Sequence, residues 1–206
     1  HMLNLRPYPI VYQKDGVVSL ALTYPYEEKY PKGAKRFSAE TFFSYCMNSV
    51  GIMIEKTARP MRLYLDFPKP DYYEQYIERF KCPIEFDAPL TMMEFSDQVM
   101  DGEMPTSNPA LHKIHLEKIQ ENWSQLKRHQ SYRYRSVTHL MRTGPESFSS
   151  DAIAKALNIS TRGLQKRLSA EGCSFSDISR QVRRELTKVC LFQQGMDFDE
   201  TAQRLG

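Results

Sequence analysis

The spacing of hydrophobic and polar residues divides the chain into two textures. The first is rich in aromatic and β-branched positions with mixed periods. In IVYQKDGVVSLALTYPY, residues 10–26, two apolar runs, Ile10 to Tyr12 and Val17 to Leu22, flank Asp15-Gly16. An Asp-Gly pair tolerates the positive φ angles of a tight turn, so this stretch predicts a β-hairpin. AETFFSYCMNSVGIMIEK, residues 39–56, predicts a helix with Phe42, Tyr45, Cys46, Ser49 and Met53 on a core-facing stripe. MRLYLDF, residues 61–67, alternates as a strand does, and Asp71 to Phe80 reads as a short helix opened by Pro70-Asp71. Pro83 to Phe86 and Leu90 to Phe95 read as short strands, and Pro109 to Leu126 as a helix with Leu111, Ile114, Ile119 and Trp123 on its apolar side.

The second texture is helical throughout. Ser131 to Met141 spaces Tyr134, Val137, Leu140 and Met141 for one buried face and stops at Gly144-Pro145. Ser150 is placed to cap a helix carrying Ile153, Ala154 and Leu157. Asn158 tolerates left-handed geometry and supplies the turn, Ile159 plugs the core and Ser160 caps the next helix. That helix faces inward with Leu164 and Leu168 and ends at Gly172. Residues 173–195 read as a long helix with Ile178, Val182, Leu186, Val189 and Cys190 inward, and Arg180, Arg183, Arg184 and Lys188 along its polar side.

Composition adds boundaries. Over 206 residues, 41% hydrophobic and 26% charged positions fit a globular protein with room for one large or two small domains. The net charge of +3 argues for no global polyanion partner, so any nucleic-acid signal has to be local. Cys46, Cys82, Cys173 and Cys190 lie far apart without metal spacing, which predicts reduced, partly buried thiols. No run of about 18 apolar residues and no signal peptide is present, so neither a membrane span nor secretion is expected. His1-Met2 reads as a vector-derived scar. The most basic stretch, LKRHQSYRYR at residues 126–135, marks the boundary between the textures.

Helix, tight turn and helix, with a small residue in the first helix and an aliphatic in the turn, is the pattern of a helix-turn-helix. Reading DNA requires long hydrogen-bonding side chains opposite the core face of the second helix. Arg162, Gln165 and Lys166 lie at that spacing. Gln pairs with adenine in bidentate fashion, and Arg or Lys with guanine. Ser160 and Thr161 at the helix start suit a phosphate, as do Lys155 and Arg167 and, on the long helix, Arg183 and Arg184. The ordinary alternative is a solvated polar face, which also favours Arg, Lys and Gln. MDFDETAQRLG then parallels SFSSDAIAKALN: Phe198 as core residue, Asp199 as cap, Ala202 as the small buried residue and Leu205 before a turn. The chain is expected to start a second unit and stop before its reading helix.

These residues resemble the AraC/XylS family of bacterial transcription regulators. The resemblance runs over residues 149–206, through S-x-R-x-L-Q-[KR]-R-L, E-G-x-S-F, R-R-E-L and A-x-x-L-G, which are specific in combination. It implies two helix-turn-helix units joined by a long helix, with Arg162, Gln165 and Lys166 at base-reading positions. Residues 62–118 are similar to the second half of the arabinose-binding-type sensor domain of one subgroup, through C-P-[IV]-x-F and P-x-x-[DN]-P-x-L. The implied fold class is α+β. A mixed α/β effector-sensing and dimerisation domain at residues 3–128, expected to be truncated at its start, precedes an all-α DNA-binding domain at residues 129–206. Within the latter lie one complete helix-turn-helix (150–171), a linker helix (174–194) and the start of a second unit (197–206).

The implied partners are double-stranded DNA, a small-molecule effector of unknown identity, a second copy of the chain, and RNA polymerase or a regulatory protein. The implied location is the bacterial cytoplasm at the nucleoid. His112 and His115 lack a third metal ligand, and Asp66, Asp71, Glu74 and Glu78 read as surface acids, so no catalytic, metal or cofactor site is expected. Tyr24, Tyr26, Tyr30, Phe42, Phe43 and Tyr45 could line an effector pocket, though core packing explains them equally well. The alternative function is a small-molecule or protein-interaction module whose helical half is structural.

Overall fold

Asp15 and Gly16 both adopt positive φ, 50° and 80°, and the predicted hairpin forms around them: β1 (Tyr8–Lys14) pairs antiparallel with β2 (Val17–Thr23). The structure is a computed structural model, and it describes residues 7–26, 30–31, 33–53, 59–101, 107–144 and 148–206, excepting the side chains of 50, 52–53 and 120–129. It is an α+β fold. Two units are present: Leu5–Ser107 together with Lys188–Phe198, and Asn108–Thr187 together with Asp199–Gly206.

In the first unit, β3 (Arg62–Leu65), β4 (Ile84–Phe86) and β5 (Thr91–Ser96) complete a five-stranded sheet of order β1-β2-β5-β3-β4. All neighbours are antiparallel except β3 and β4, which run parallel because α2 (Tyr73–Phe80) crosses between them. Alternation along each strand sends Leu22, Leu63, Leu65, Met93 and Phe95 to one face. There they meet Ala39 and Phe43 of α1 (Ala34–Met53) and Tyr76 and Phe80 of α2. Burying a side chain such as Phe43 contributes roughly 1.5–3 kcal/mol.

The face of α1 corrects the predicted stripe. The helix begins at Ala34, after Gly33 at φ 82°, and buries Ala39 and Phe43, whereas Tyr45 is 69% exposed. Phe42 lies beside the core, and Met53 falls outside the described side chains. Only the docking of α1 on the sheet chooses between the adjacent phenylalanines. Lys35 fixes that docking with a 2.6 Å ion pair to Asp66, whose carboxylate also accepts from the Thr91 hydroxyl. In the same half of α1, Glu40 accepts hydrogen bonds from Tyr72 and Tyr76. Asp66 is thus a bonded internal group, while Asp71, Glu74 and Glu78 are exposed as expected. Asp71 does not cap α2; the N-cap is Tyr72, with no side-chain cap bond.

In the helical unit the elements are α3 (Pro109–His129), α4 (Tyr132–Thr143), α5 (Ser150–Ala156), α6 (Thr161–Ala170), α7 (Phe175–Lys188) and α8 (Phe198–Leu205). Its core holds Val137, Leu140, Met141, Ile153, Ala154, Leu164, Leu168, Ile178 and Val182. The units change at Ser107 and Asn108, so α3 groups with the helices. Leu111, Ile114 and Ile119 of α3 are exposed, and the side chains of Trp123, Lys127 and Arg128 lie outside the described residues.

The linker helix expected over 174–194 is continuous from Phe175 but widens in its last turn. α7 ends at Lys188, and Val189–Gln193 is a wide π-type turn. The second-unit assignments change too. Phe198 is the first residue of α8 and 79% exposed, and Asp199 lies inside the first turn rather than at the cap. Thr201 and Leu205, four apart, take the inward side, which leaves Ala202 roughly a quarter-turn away and exposed.

Candidate nucleic-acid interface

Asn158 adopts φ 56° between α5 and α6, the left-handed turn its short polar side chain tolerates. The cap of α5 is Ser149, accepting from the Ala152 N–H at 3.0 Å, one residue before the predicted Ser150. Ser160 caps α6 as predicted, accepting from the Gly163 N–H at 3.1 Å. Ile159 is half-buried, and its N–H bonds the Ala154 carbonyl at 3.0 Å, which closes the turn.

α6 divides cleanly. Leu164 and Leu168 are fully buried, and Arg162, Gln165 and Lys166 are all exposed on the opposite side. At about 100° per residue, the three form one patch at the start of the helix. None of the hydrogen bonds and ion pairs described above draws them back onto the domain, so their polar ends face solvent. That patch could present two guanidinium or ammonium groups and one amide to a groove.

The residues assigned to phosphates sit in different environments. Ser160 uses a lone pair in capping but keeps its hydroxyl proton for another acceptor. Thr161 donates its hydroxyl to Asp151 at 2.6 Å, so its proton is already committed and a carboxylate stands beside it. Arg167 is exposed, its guanidinium 4.8 Å from the Tyr132 ring centroid. Arg183 is half-buried 4.9 Å over Phe148, clamping α7 to the residues before α5, and Arg184 is exposed with Nε 3.7 Å from buried Glu185.

One functional group escaped the sequence reading. Glu171, at the C-cap of α6, accepts from the backbone N–H groups of Tyr132 and Arg133 at 2.7 and 2.8 Å. Its carboxylate thereby caps α4, where the helix dipole favours negative charge. Arg133 answers by donating to the Glu171 carbonyl and, from Nε, to the Cys173 sulfur at 3.4 Å. The E-G-x-S-F block is therefore a joint. Glu171 ties α6 to α4, Gly172 turns at φ 69°, and Ser174 and Asp177 exchange hydrogen bonds that start α7. The signal was an acid just past a helix end, but its target lies 39 residues earlier in the chain. Glu171→Gln removes the charge and one acceptor, and is expected to cost about 1 kcal/mol in thermal unfolding of the helical unit.

The aromatic residues weighed for an effector pocket do not share one role. Tyr24 and Phe43 belong to the sheet core, Tyr26 is buried, Tyr30 packs edge-on against Tyr24, and Tyr45 faces outward. His112 and His115 are exposed on α3, and no cluster of three metal-ligating side chains occurs among the described residues. No helix among them is long and apolar enough to cross a membrane. None of the four cysteines is in a disulfide; Cys190 is buried, and desolvation pushes the Cys82 thiol up to about 11.

Comparison with known proteins finds similarity to transcription regulators. Residues 4–104 match the arabinose-binding domain found at the N-terminus of AraC transcription regulators. The match extends well before the segment 62–118 on which the sequence resemblance rested. The chain is 23% identical over 181 residues to an ornithine utilization regulator of Pseudomonas aeruginosa, covering 87% of this chain and 53% of that protein. It thus spans about half the length of this curated relative. A crystal structure of the transcriptional regulator CdpR from Pseudomonas aeruginosa shows 21% identity and a TM-score of 0.47, over 96% of this chain and 64% of that one. The chain is thus similar, over residues 4–104, to the N-terminal domain of AraC transcription regulators.

Proposed function

We propose that this chain belongs to a bacterial transcription regulator that binds specific DNA through α6 under control of a small molecule bound by its N-terminal unit. The observation that carries the reading is the exposed patch of Arg162, Gln165 and Lys166, opposite the buried Leu164 and Leu168. Those three side chains would contact base edges, and Ser160, Thr161, Arg167, Arg183 and Arg184 the phosphates. For Thr161 and Arg183 the phosphate would have to replace an internal contact. The boundaries 3–128 and 129–206 remain the proposed division of labour between sensing and DNA binding. A polymerase or regulatory-protein contact and a place at the nucleoid in the cytoplasm complete the reading.

The test is binding to a fluorescent duplex, selected from a random pool, as salt is raised. With three cationic phosphate partners, Arg167, Arg183 and Arg184, log affinity should fall against log salt with a slope of about −2.7, a loss of roughly 40-fold between about 50 and 200 mM salt. Weak binding with a flat salt response would instead favour the second reading, a small-molecule or protein-interaction module with a structural helical half. The engagement of Thr161 by Asp151 and of Arg183 by Phe148 is the observation on that side.

Dimerisation is part of the same proposal. Leu111, Ile114 and Ile119 leave α3 with apolar side chains 48%, 59% and 59% exposed, a face suited to a second copy. Sedimentation should show a concentration-dependent dimer that Ile114→Glu with Ile119→Glu reduces to monomer, with helix content unchanged. A monomer at all concentrations would remove the dimer from this account.

A further inference from the structure

The most basic stretch of the chain, LKRHQSYRYR, ends in two arginines at the start of α4 that are used in opposite ways. Arg133 turns inward, donating to the Glu171 carbonyl and, from Nε, to the Cys173 sulfur. Arg135 instead sets its guanidinium 5.0 Å from the centroid of the half-buried Tyr132 ring. The guanidinium of Arg167, from α6, lies 4.8 Å from the same centroid. One ring thus gathers two cations from two helices. The charges stand within about 10 Å of each other, inside the Debye length at about 0.1 M salt.

Among the described residues neither guanidinium has a carboxylate partner. Glu171, which reaches this corner, spends both carboxylate oxygens on the Tyr132 and Arg133 N–H groups. The Tyr134 N–H is taken by the Ser131 hydroxyl and the Arg135 N–H by the Ser131 carbonyl. The first turn of α4 therefore has no backbone donor left for an anion, and the corner offers one only its guanidiniums. An aromatic ring attracts each cation through its quadrupole but carries no net charge, so the repulsion between the two persists. A bound anion would remove it.

The same groups continue onto α6. Gly163 has no side chain, and a Cβ there would stand 3.1 Å from the Ser160 Oγ and 3.4 Å from the Arg167 Nη1. The Arg167 guanidinium therefore lies back over the first turn of α6, beside a hydroxyl whose proton is uncommitted. Arg167 follows Lys166, so this flank runs alongside the exposed patch of Arg162, Gln165 and Lys166.

We propose that Arg135 and Arg167, gathered by the Tyr132 ring, hold one phosphodiester of the DNA backbone and bring the start of α4 into the interface beside α6. The guanidiniums supply charge-assisted hydrogen bonds, and the Ser160 hydroxyl a further donor. Such a contact carries no sequence information; it fixes how α6 lies against the bases. The proposal rests on the DNA-binding reading above.

The 206-residue chain is compared with Arg135→Gln and Arg135→Lys, each binding a selected duplex and a scrambled one over a range of salt. Arg135→Gln is expected to lower affinity for both duplexes alike, by about threefold or more, and to make the salt slope shallower by about 0.9. Arg135→Lys keeps the charge and should keep the slope. Thermal unfolding by circular dichroism is measured on all three chains. In parallel, inorganic phosphate is titrated into the unaltered chain while the arginine Nε–H resonances are followed by NMR. Those of Arg135 and Arg167 should shift together, and Arg135→Gln should weaken the shift of Arg167. If the unaltered chain binds DNA and Arg135→Gln leaves affinity and slope unchanged, the pair is no part of the interface, while the DNA reading stands. Lower affinity and a lower unfolding midpoint with an unchanged slope would make the pair mere packing of α4 on α6. If no chain binds DNA but both resonances move with phosphate, the anion seat stands and its DNA occupant falls. No DNA binding and no response to phosphate would overturn both.

Discussion

Leu168→Ala is expected to destabilise the helical unit by about 2–5 kcal/mol, the cost of the lost burial plus the cavity left behind. Leu168 is fully buried, and its carbonyl accepts from the Glu171 and Cys173 N–H groups, so a shift of this turn also disturbs the joint to α4. Thermal and urea unfolding followed by circular dichroism measures the loss. Because a single domain is stable by only about 5–15 kcal/mol, the variant should lose much of its margin. A change below about 1 kcal/mol would mean that α6 is held mainly by something other than its apolar face.

Arg162→Ala and Gln165→Ala are each expected to cost roughly 1–3 kcal/mol in affinity for a selected duplex, with unfolding unchanged. Both side chains are exposed, so their truncation leaves the core intact and isolates recognition from stability. Base readers lose affinity unequally across sequences, relaxing specificity at one position each. Arg167→Ala, if Arg167 meets a phosphate, weakens all duplexes alike and lowers the salt slope by about one unit. Unchanged affinity in both Arg162→Ala and Gln165→Ala would remove them from the interface.

Where a residue's role is set by its near neighbours, the reading of the chain was sound. Asp15-Gly16 turns the first hairpin, Asn158 turns at positive φ, and Ser160 caps α6, each a matter of four or five adjacent residues. The pair Leu164 and Leu168 needed only the helical period to be placed inward, and the polar patch opposite followed from the same arithmetic. The caps misplaced by one or two residues, Ser150 for Ser149 and Asp199 within α8, show how loosely composition fixes an end.

Other roles depend on partners that spacing cannot name. Thr161, assigned to a phosphate, also donates its hydroxyl to Asp151, ten residues earlier, a partner its spacing does not name. Glu171 had no visible purpose without the start of α4 beside it. Phe42 and Phe43 are adjacent aromatics on a helix with little amphipathic contrast, and only the sheet beneath decides which is buried.

By itself the sequence determined the hairpin, the strand alternation, the helices of the second half and the patch Arg162, Gln165 and Lys166. Backbone preferences and side-chain periodicity act over a few residues and need no knowledge of the fold. The tertiary structure alone decided the inward face of α1, the outward turn of Phe198 and Ala202, and the capture of Val189, Phe192 and Gln193 by the sheet. Those outcomes are set by competition for buried surface and unpaired polar groups between segments as much as 183 residues apart, as Gln193 and Ile10 are.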